Sequence, residues 1–256
     1  MIAAEVRRYL HDTRDVEGWF FPVDAYLFGF LDEVQKREAI TGTLFEIGVH
    51  HGKTALFLAR AAREGEVLGV CDVFEQQELN RDRSGEGSLA LFLRNLRALG
   101  GLDEARLRVF ARESSTLTTD DTTTGCRFFH IDGGHRPEDV MNDLAVAERA
   151  LLPDGVVAVD DLFNPNWPGV GEGFYRFLAS RPDAFVPILI GGNKVLFTRP
   201  DAAARYESHW SDIPAAVDAP FTFDFKDWLG HRVLTAIRGA WVDLDPMGTA
   251  RLHLRE

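Results

Sequence analysis

The spacing of hydrophobic residues divides the chain into a helical start and a middle rich in strands. Between Glu5 and about Thr41, apolar residues recur every three or four positions, and Gly42 interrupts this helical pattern. Beyond that point, short apolar runs alternate with amphipathic stretches, in the order LFEIG, TALFLARAA, VLGVCDVF, SLALFLRNLRAL and RLRVFA. This alternation predicts parallel strands that are connected by helices.

The same alternation continues through the second half of the predicted core. The run CRFFHID is followed by a helix from about Pro137 to Leu151, which has proline in its first turn, and then, after a turn at PDG, by GVVAVDDL. FVPILI and KVLFTR flank Gly191, Gly192 and Asn193, which is typical of an antiparallel hairpin. We therefore predict an α/β fold, Rossmann-like and doubly wound, with a mostly parallel seven-stranded sheet and an antiparallel C-terminal hairpin.

Three segments follow from this pattern. Residues 1–42 are predicted to form a helical N-terminal cap, residues 43–200 the core domain, and residues 201–256 a C-terminal extension. The extension contains many aromatic residues among acidic ones. We therefore expect it to pack on the core or on a second subunit.

Composition limits the partners that this chain can have. Its 256 residues are 45% hydrophobic, which suffices for one sizeable core, and its formal charge of −12 excludes a nucleic-acid partner. No apolar run approaches the roughly 20 residues of a membrane span, and the N-terminus lacks the order of a secretory signal. We expect a cytoplasmic enzyme that binds a small molecule and no membrane. Cys71 and Cys126 each lie in a strand-like run, which indicates buried thiols rather than a disulfide.

The stretch FEIGVHHGKT, from Phe45 to Thr54, is one residue short of a phosphate-binding loop. Gly48 and Gly52 have three residues between them, whereas the ATP-binding form needs four. A shorter loop cannot close the same cradle of backbone N–H groups around a phosphate. In an open parallel sheet, a glycine loop after the first strand lets the backbone approach a ligand closely.

Two acidic residues indicate which ligand this loop holds. Asp72 ends the second strand, 26 positions after Glu46 (72 minus 46), where an acidic residue accepts hydrogen bonds from ribose hydroxyls. Glu46 precedes the loop, where it would repel phosphates and attract a sulfonium or ammonium group. We therefore predict S-adenosylmethionine as the cofactor, in contact with Glu46, Gly48, Gly52 and Asp72. The alternative is that both acids only cap strand ends and the glycines form an ordinary turn.

Three further carboxylates are predicted to meet at the same edge of the sheet. Asp132 ends the fourth strand, and Asp160 and Asp161 end the fifth. Neighbouring carboxylates raise one another's pKa values unless a hard divalent cation binds their oxygens. We therefore predict a metal site formed by Asp132, Asp160 and Asp161, with Mg²⁺ as the natural ion. The alternative is that Asp160 caps the following turn and Asp161 pairs with an arginine.

His135 lies three residues after Asp132, in a loop whose two glycines let it bend toward the same edge. A histidine can take a proton from a hydroxyl near neutral pH, and a metal bound to that hydroxyl lowers the pKa of the hydroxyl. We therefore predict His135 as the general base. The alternative is a solvated loop histidine without a catalytic role.

These residues carry a resemblance to a known family. The core from about Thr43 to Arg199 resembles the class I S-adenosylmethionine-dependent methyltransferases, and among them the metal-dependent O-methyltransferases of the catechol and macrolide-sugar types. FEIGVHHGK resembles their cofactor loop and CDVF their ribose acid, while HIDGGH with VDDL resembles the metal and base pattern of the sugar-modifying branch. In the catechol branch a lysine is the base and an asparagine the last metal ligand. His135 and Asp161 stand at those positions here, so a simple catechol is not the expected acceptor.

The resemblance also implies contacts with the cofactor beyond the glycine loop. The region after the third strand should contact adenine, and Glu113 and Ser114 are the favoured residues there. Asp132 is expected to contact the cofactor as well as the metal.

Two long polar loops are expected to select the substrate, one after the second strand and one after the fifth. In the later loop, Asn164 and Trp167 combine amide hydrogen bonding with an aromatic face, which suits a sugar or polyketide ring. Arg136 is a third candidate, for an acidic group of the substrate. The alternatives are that Trp167 only anchors its loop and that Arg136 caps the helix behind it.

The sequence thus predicts an S-adenosylmethionine-dependent O-methyltransferase that acts on a hydroxyl of a small secondary metabolite. A metal-independent methyltransferase and a non-catalytic cofactor-binding protein remain as alternatives. An NAD-dependent enzyme is disfavoured because the loop lacks the G-x-G-x-x-G spacing. The sequence leaves open whether the protein forms a homo-oligomer.

Overall fold

The part of the chain that the structure describes is built around one nine-stranded sheet. The computed structural model describes residues 2–122, 125–213, 217, 221–238, 240–244 and 250–254. The strands of the sheet are β1 (Thr43–Ile47), β2 (Leu68–Asp72), β3 (Leu107–Ala111), β4 (Cys126–Ile131), β5 (Leu151–Asp160), β6 (Val186–Gly191), β7 (Lys194–Thr198), β8 (Phe221–Trp228) and β9 (His231–Arg238). Their order across the sheet is β3-β2-β1-β4-β5-β7-β6-β9-β8.

The directions of the strands confirm the predicted fold class. β1 to β5 pair in parallel, and β7 lies antiparallel to both β5 and β6. β5 begins directly after the preceding helix and includes the PDG sequence that we expected to form a turn. The seven predicted strands therefore form a mostly parallel sheet that ends in an antiparallel hairpin.

Two strands from the predicted C-terminal extension lengthen this sheet. β9 pairs in parallel with β6, and β8 pairs antiparallel with β9. β8 has the alternating sequence FTFDFKDW, in which every second residue is apolar until the last pair. β10 (Ala240–Leu244) and β11 (Ala250–Leu254) form a separate antiparallel pair. We expected residues 201–256 to pack on the core or on a second subunit, and part of this segment lies outside the described residues.

Helices cover both faces of the sheet. They are α1 (Ile2–Asp12), α2 (Pro22–Arg37), α3 (Lys53–Ala61), α4 (Leu89–Asn95), α5 (Pro137–Ala150), α6 (Pro168–Ser180) and α7 (Ala203–Glu207). One apolar core joins the sheet to α1, α2, α3 and α4, and a second joins its other face to α5 and α6. Among the described helices, none has the length and apolar character that crossing a membrane requires.

Alternation along the strands decides which side chains reach which face. Leu44, Phe128, Ala158 and Leu196 belong to the core beneath α1 to α4. Their neighbours two positions along the strands are therefore expected on the same face, and these neighbours are Glu46, His130, Asp160 and Lys194. Four polar residues are thus directed into the layer between the sheet and the N-terminal helices.

A buried arginine ties α2 to the sheet. Arg127 in β4 is fully buried, and its guanidinium donates to the two carboxylate oxygens of Glu66 at 2.8 and 3.0 Å. The same group donates to Oε1 of Gln35 at 2.7 Å and lies 2.8 Å from a carboxylate oxygen of Asp32, both on α2. These hydrogen bonds satisfy a charge that would otherwise be costly to bury.

The cysteines are buried free thiols, as predicted. Cys71 lies in β2 and Cys126 in β4, and neither is bridged. Burial raises the pKa of the Cys126 thiol to about 12. The thiol therefore stays protonated at neutral pH and behaves as a small apolar group.

Candidate active site

A cavity of about 690 Å³ opens where β1, β2, β4 and β5 end. The C-terminal edge of a parallel sheet is where such folds bind their ligands. Twelve of the thirteen predicted site residues line this cavity, namely Glu46, Gly48, Asp72, Glu113, Ser114, Asp132, His135, Arg136, Asp160, Asp161, Asn164 and Trp167. Gly52 is the residue that does not.

The backbone of the glycine loop passes very close to Asp132. Gly48 has a φ of +83°, and a Cβ at this position would lie 1.7 Å from the carbonyl oxygen of Asp132. The N–H of Asp132 in turn donates to the carbonyl of Ile47 at 2.8 Å. Only glycine permits this contact, which brings the first and fourth strand ends together at the cavity.

Gly52 lies at the start of α3 and outside the lining of the cavity. Its φ of +91° precedes the first residue of α3, and a Cβ there would lie 2.5 Å from the Phe92 ring. Its N–H donates to the carbonyl of Val49 at 2.8 Å. Gly52 therefore starts a helix and admits a packing contact, and its position gives no support to a contact with the cofactor.

Asp72 holds the glycine loop in shape. Its Oδ2 accepts hydrogen bonds from the N–H groups of Val49 at 2.6 Å and His50 at 2.8 Å. Its Oδ1 accepts from the N–H of Phe74 at 2.6 Å. The carboxylate lines the cavity and also has the capping role that we considered as the alternative.

Glu46 is buried beneath the cavity and paired with a histidine. Its Oε1 lies 2.9 Å from Nδ1 of His130, and its Oε2 has no hydrogen-bond partner. Burial raises the pKa of Glu46 well above its ordinary value, although Lys194 opposes this. Burial also lowers the pKa of His130 well below its ordinary value. A carboxyl group with a free oxygen therefore stands at the floor of the cavity.

The three predicted metal-binding carboxylates do not converge as one set. Two groups of possible ligands are found among the described residues, each with its ligand atoms within 4.8 Å of one another. The first group is His130, Asp132 and Asp160, and the second is Asp132, His135 and Asp161. Burial and the neighbouring Asp160 raise the pKa of Asp132 well above its ordinary value.

Asp160 is already bound to a buried lysine. Its Oδ2 is hydrogen-bonded to Nζ of Lys194, and both side chains are almost completely buried. Its Oδ1 accepts a hydrogen bond from the N–H of Asp161 at 2.9 Å. The predicted trio is therefore divided, because Asp132 shares one group with Asp160 and another with Asp161, and the Asp160 carboxylate is already bound to Lys194.

Asp161 has an unusual backbone conformation. Its φ is +58°, a left-handed conformation that non-glycine residues rarely adopt and that is often found at functional sites. Its Oδ1 accepts hydrogen bonds from the amide groups of Asn164 at 2.8 Å and Asn193 at 3.2 Å, and its Oδ2 lies 3.3 Å from Nε2 of His135. Burial raises its pKa, but the hydrogen bonds of His135 and the two asparagines outweigh burial, so that the pKa lies below its ordinary value. Among the residues that the structure describes, no arginine pairs with Asp161.

His135 is held between two carboxylates and an aromatic ring. Asp82 Oδ2 accepts from the backbone N–H of His135 at 2.6 Å and lies 2.9 Å from its Nδ1. The Trp167 indole stacks on the imidazole, with 4.1 Å between ring centroids and 15° between planes. Burial lowers the pKa of His135, but hydrogen bonds to Asp161 and Asp82 outweigh burial and raise the pKa to about 9.

Asp82 is the residue that the sequence analysis missed. It lies in the long loop after β2, 53 positions before His135. The only signal in the sequence was the length and polarity of that loop, which we connected with substrate selection.

Most remaining predicted side chains have partners within the protein. Asn164 donates to Asp161 and accepts from the N–H of Asn166 at 3.0 Å, so it positions Asp161. The guanidinium of Arg136 makes two 2.8 Å hydrogen bonds to Asp139 in the first turn of α5, which is the role that we gave as the alternative.

The two side chains that we assigned to adenine are also partnered. Ser114 Oγ donates to Asp143 Oδ1 at 2.5 Å, and a carboxylate oxygen of Glu113 lies 3.4 Å from the guanidinium of Arg81. Both residues nevertheless line the cavity after β3. Their predicted contact with adenine stays a prediction.

Comparison with known proteins agrees with this architecture. Residues 45–162 match the model of a family described as a methyltransferase domain. The structure of the O-methyltransferase NovP is 21% identical over 66% of this chain and 76% of that one, with a TM-score of 0.54. CalS11, a TDP-rhamnose 3′-O-methyltransferase of calicheamicin biosynthesis, is 15% identical over 77% and 92%, with a TM-score of 0.49. A search of curated proteins finds no match.

A third structure is TomG from Streptomyces achromogenes, an O-methyltransferase involved in tomaymycin synthesis and solved with S-adenosylmethionine. It is 17% identical over 76% of this chain and 88% of that one, with a TM-score of 0.47. At these identities the likeness is one of fold. The family model and the fold of NovP confirm the resemblance that the sequence carries.

Proposed function

We propose that this chain, whose residues 45–162 match the model of a methyltransferase domain, is a class I S-adenosylmethionine-dependent O-methyltransferase. The acceptor is a hydroxyl of a small secondary metabolite that carries a sugar, polyketide or phenolic group. One observation carries the proposal: the glycine loop, the carboxylates Asp132 and Asp161, and His135 line a single cavity at the C-terminal edge of the parallel strands. The O-methyltransferase NovP, which shares the fold, supports the class of reaction.

The charge of the cavity floor suits a cationic cofactor. Asp24, Glu46 and Asp160 are buried there or beneath it, Asp132 is half-buried, and loss of solvation raises the pKa of each. Lys194 is the buried ammonium among them. Because these carboxyl groups outnumber that ammonium, a sulfonium and an ammonium group brought by S-adenosylmethionine would relieve the cost of ionising them.

The same excess of carboxyl groups fits a divalent cation. Asp132 and Asp161 are the residues that would hold it, because their oxygens belong to one group and hard cations prefer carboxylate ligands. When bound, the cation would orient the acceptor hydroxyl and lower its pKa. Mg²⁺ is the ion that we propose.

His135 is proposed to take the proton of the acceptor hydroxyl. With Nδ1–H donated to Asp82, the neutral imidazole carries its lone pair on Nε2, the nitrogen on the Asp161 side. Because Asp161 and Asp82 raise the pKa of His135 to about 9, this neutral form predominates only above that pH in the metal-free protein. Stacking on Trp167 fixes the plane of the ring. Asp82 and Trp167 therefore orient the base toward the acceptor.

A second candidate is a methyltransferase that needs no metal. Two internal cations already compensate two of the carboxylates, because Lys194 is bound to Asp160 and a protonated His135 lies 3.3 Å from Asp161. In this case the acids only shape the pocket. Methyl transfer that persists after chelation would favour this candidate.

The test uses the purified protein, S-adenosylmethionine with a deuterated methyl group, and a panel of hydroxylated glycosides, polyketides and phenols. We expect labelled methyl ethers that form with Mg²⁺ and cease with EDTA. His135→Ala should lower turnover by about 10²- to 10⁴-fold, the usual contribution of a general base, while the affinity for S-adenosylhomocysteine is kept. Failure of the wild-type protein to bind S-adenosylhomocysteine would refute the proposed function.

A further inference from the structure

Asp160 and Lys194 form a cross-strand pair beneath the cavity. β5 and β7 are antiparallel neighbours, and Asp160 lies directly opposite Lys194 in their register. Opposite residues of an antiparallel pair extend their side chains to the same face, so the ammonium and the carboxylate meet without distortion. With Lys194 on one oxygen and the N–H of Asp161 on the other, both oxygens of Asp160 have partners.

The surroundings of Lys194 hold it in place. Its Nζ lies 5.7 Å from the centroid of the Phe20 ring, and it interacts electrostatically with Asp24 and Asp132. Asp24 is itself fixed at the start of α2, where its Oδ2 accepts from the N–H of Phe21 at 3.1 Å. The hairpin turn packs on Asp24 so closely that a Cβ at Gly192 would lie 2.2 Å from Asp24 Oδ1. Lys194 therefore has no free route to solvent and stays within this layer.

The two groups of possible metal ligands differ in what already occupies them. The inner group is His130, Asp132 and Asp160, and the Lys194 ammonium is bound to one of its three members. The outer group is Asp132, His135 and Asp161, and no lysine or arginine is paired with its members in the described residues. Like charges a few ångströms apart repel strongly in a poorly solvated site, so a divalent cation is disfavoured in the inner group.

We propose that Lys194 is the permanent cation of the inner group, and that it confines a bound divalent cation to Asp132 and Asp161, without Asp160 as a ligand. The inference rests on the proposed function for the presence of a divalent cation. It departs from the sequence pattern, in which VDDL presents two adjacent aspartates as equivalent ligands. It also gives the N-terminal helices a part in the site, because Asp24 of α2 helps to hold Lys194.

The experiment measures binding of Mn²⁺ by electron paramagnetic resonance, with Mn²⁺ as the probe ion and S-adenosylhomocysteine present. Asp161→Asn should weaken Mn²⁺ binding by at least about 10-fold, because even outer-shell partners of a metal contribute that much. Asp160→Asn should change the affinity for Mn²⁺ by less than about 3-fold, because a substitution outside the set of ligands has only a small effect. Asp139→Asn is the matched control, since Asp139 lines the same cavity but belongs to neither group.

Asp160→Asn leaves Lys194 buried without its partner and can impair folding. The double variant Asp160→Asn with Lys194→Met removes both charges and keeps the test decisive. It should bind Mn²⁺ like the wild type, whereas Lys194→Met alone should bind a second Mn²⁺ or bind the first more tightly. Equal loss of binding in the Asp160→Asn double variant and in Asp161→Asn would overturn the inference.

A separate outcome tests the proposed function rather than the inference alone. If the wild-type protein binds S-adenosylhomocysteine but no Mn²⁺, the metal part of the proposed function is refuted, and the confinement of the cation with it. If the wild type binds Mn²⁺ and the double variant does not, only the role given to Lys194 is refuted.

Discussion

Replacement of Asp82 by asparagine tests how His135 is held. In the metal-free protein, the hydrogen bonds of His135 to Asp161 and Asp82 raise its pKa from 6.5 to about 9. Both side chains of the Asp82–His135 pair are about nine-tenths buried, so solvent screens their interaction little. A shift of that size corresponds to about 3 kcal/mol in favour of the charged imidazole in the folded state.

The sign of the pH dependence follows from the direction of this shift. Because the folded-state pKa is raised, the stabilisation is complete below the unfolded pKa of 6.5 and is lost as the pH rises through about 9. Asp82→Asn removes one of two carboxylates and should lower the pKa of His135 by roughly 1 to 2 units, the usual effect of one nearby opposite charge. The variant should therefore lose more unfolding free energy at pH 6 than at pH 10.

The assay is an NMR titration of the His135 ring nitrogens in EDTA, together with urea unfolding at both pH values. Glu64→Gln is the control, because it removes one negative charge from an exposed turn. An unchanged titration of His135 in Asp82→Asn would show that Asp82 does not hold the ring. Equal destabilisation at both pH values would contradict the electrostatic reasoning.

Three further predictions follow from single contacts. Gly48→Ala should abolish measurable S-adenosylhomocysteine binding by calorimetry, because its Cβ would overlap the carbonyl of Asp132, and binding within a factor of ten of the wild type would contradict this. Arg127→Met should lower the unfolding free energy in urea by about 3–5 kcal/mol, because it removes the nearest cationic partner of the buried Glu66, whereas Arg127→Met combined with Glu66→Gln should restore much of this loss. Burial raises the pKa of Glu66, but hydrogen bonds from Arg127 outweigh burial and hold that pKa below its ordinary value of 4.5. The loss of unfolding free energy caused by Glu66→Gln should therefore shrink as the pH falls below about 4.5. A loss of unfolding free energy that grows with acidity would refute the pairing of Glu66 with Arg127.

The sequence predicted the fold and the position of the cavity because both depend on local patterns. Short apolar runs separated by helices indicate a parallel sheet, and polar residues at the ends of such strands meet at one edge. Gly48, Asp132 and His135 reach the cavity for this reason. β8 was missed because an edge strand with polar alternate positions is difficult to distinguish from a loop.

The partners of the site residues could not be predicted in the same way. Lys194 reaches Asp160 from 34 positions away and Asp82 reaches His135 from 53 positions away, so no local spacing connects them. The position of Lys194 could have been predicted from the hairpin. When the last strand of a hairpin returns beside the fifth strand, its first residue lies opposite the last residue of the fifth strand. Asp82 had only the length and polarity of its loop as a signal, because the course of that loop depends on tertiary packing. The contact of Gly52 with the cofactor stays a prediction, because a glycine that starts a helix looks the same in sequence as one that contacts a ligand.

A crystal structure of the protein with S-adenosylhomocysteine and Mn²⁺, recorded at the manganese absorption edge, tests the central claim most directly. The account predicts that the thioether lies in the cavity near His135, and that a single anomalous peak lies between the carboxylates of Asp132 and Asp161. A cofactor bound outside this cavity, or a manganese ion bound to the Asp160 side chain in place of Lys194, would contradict it.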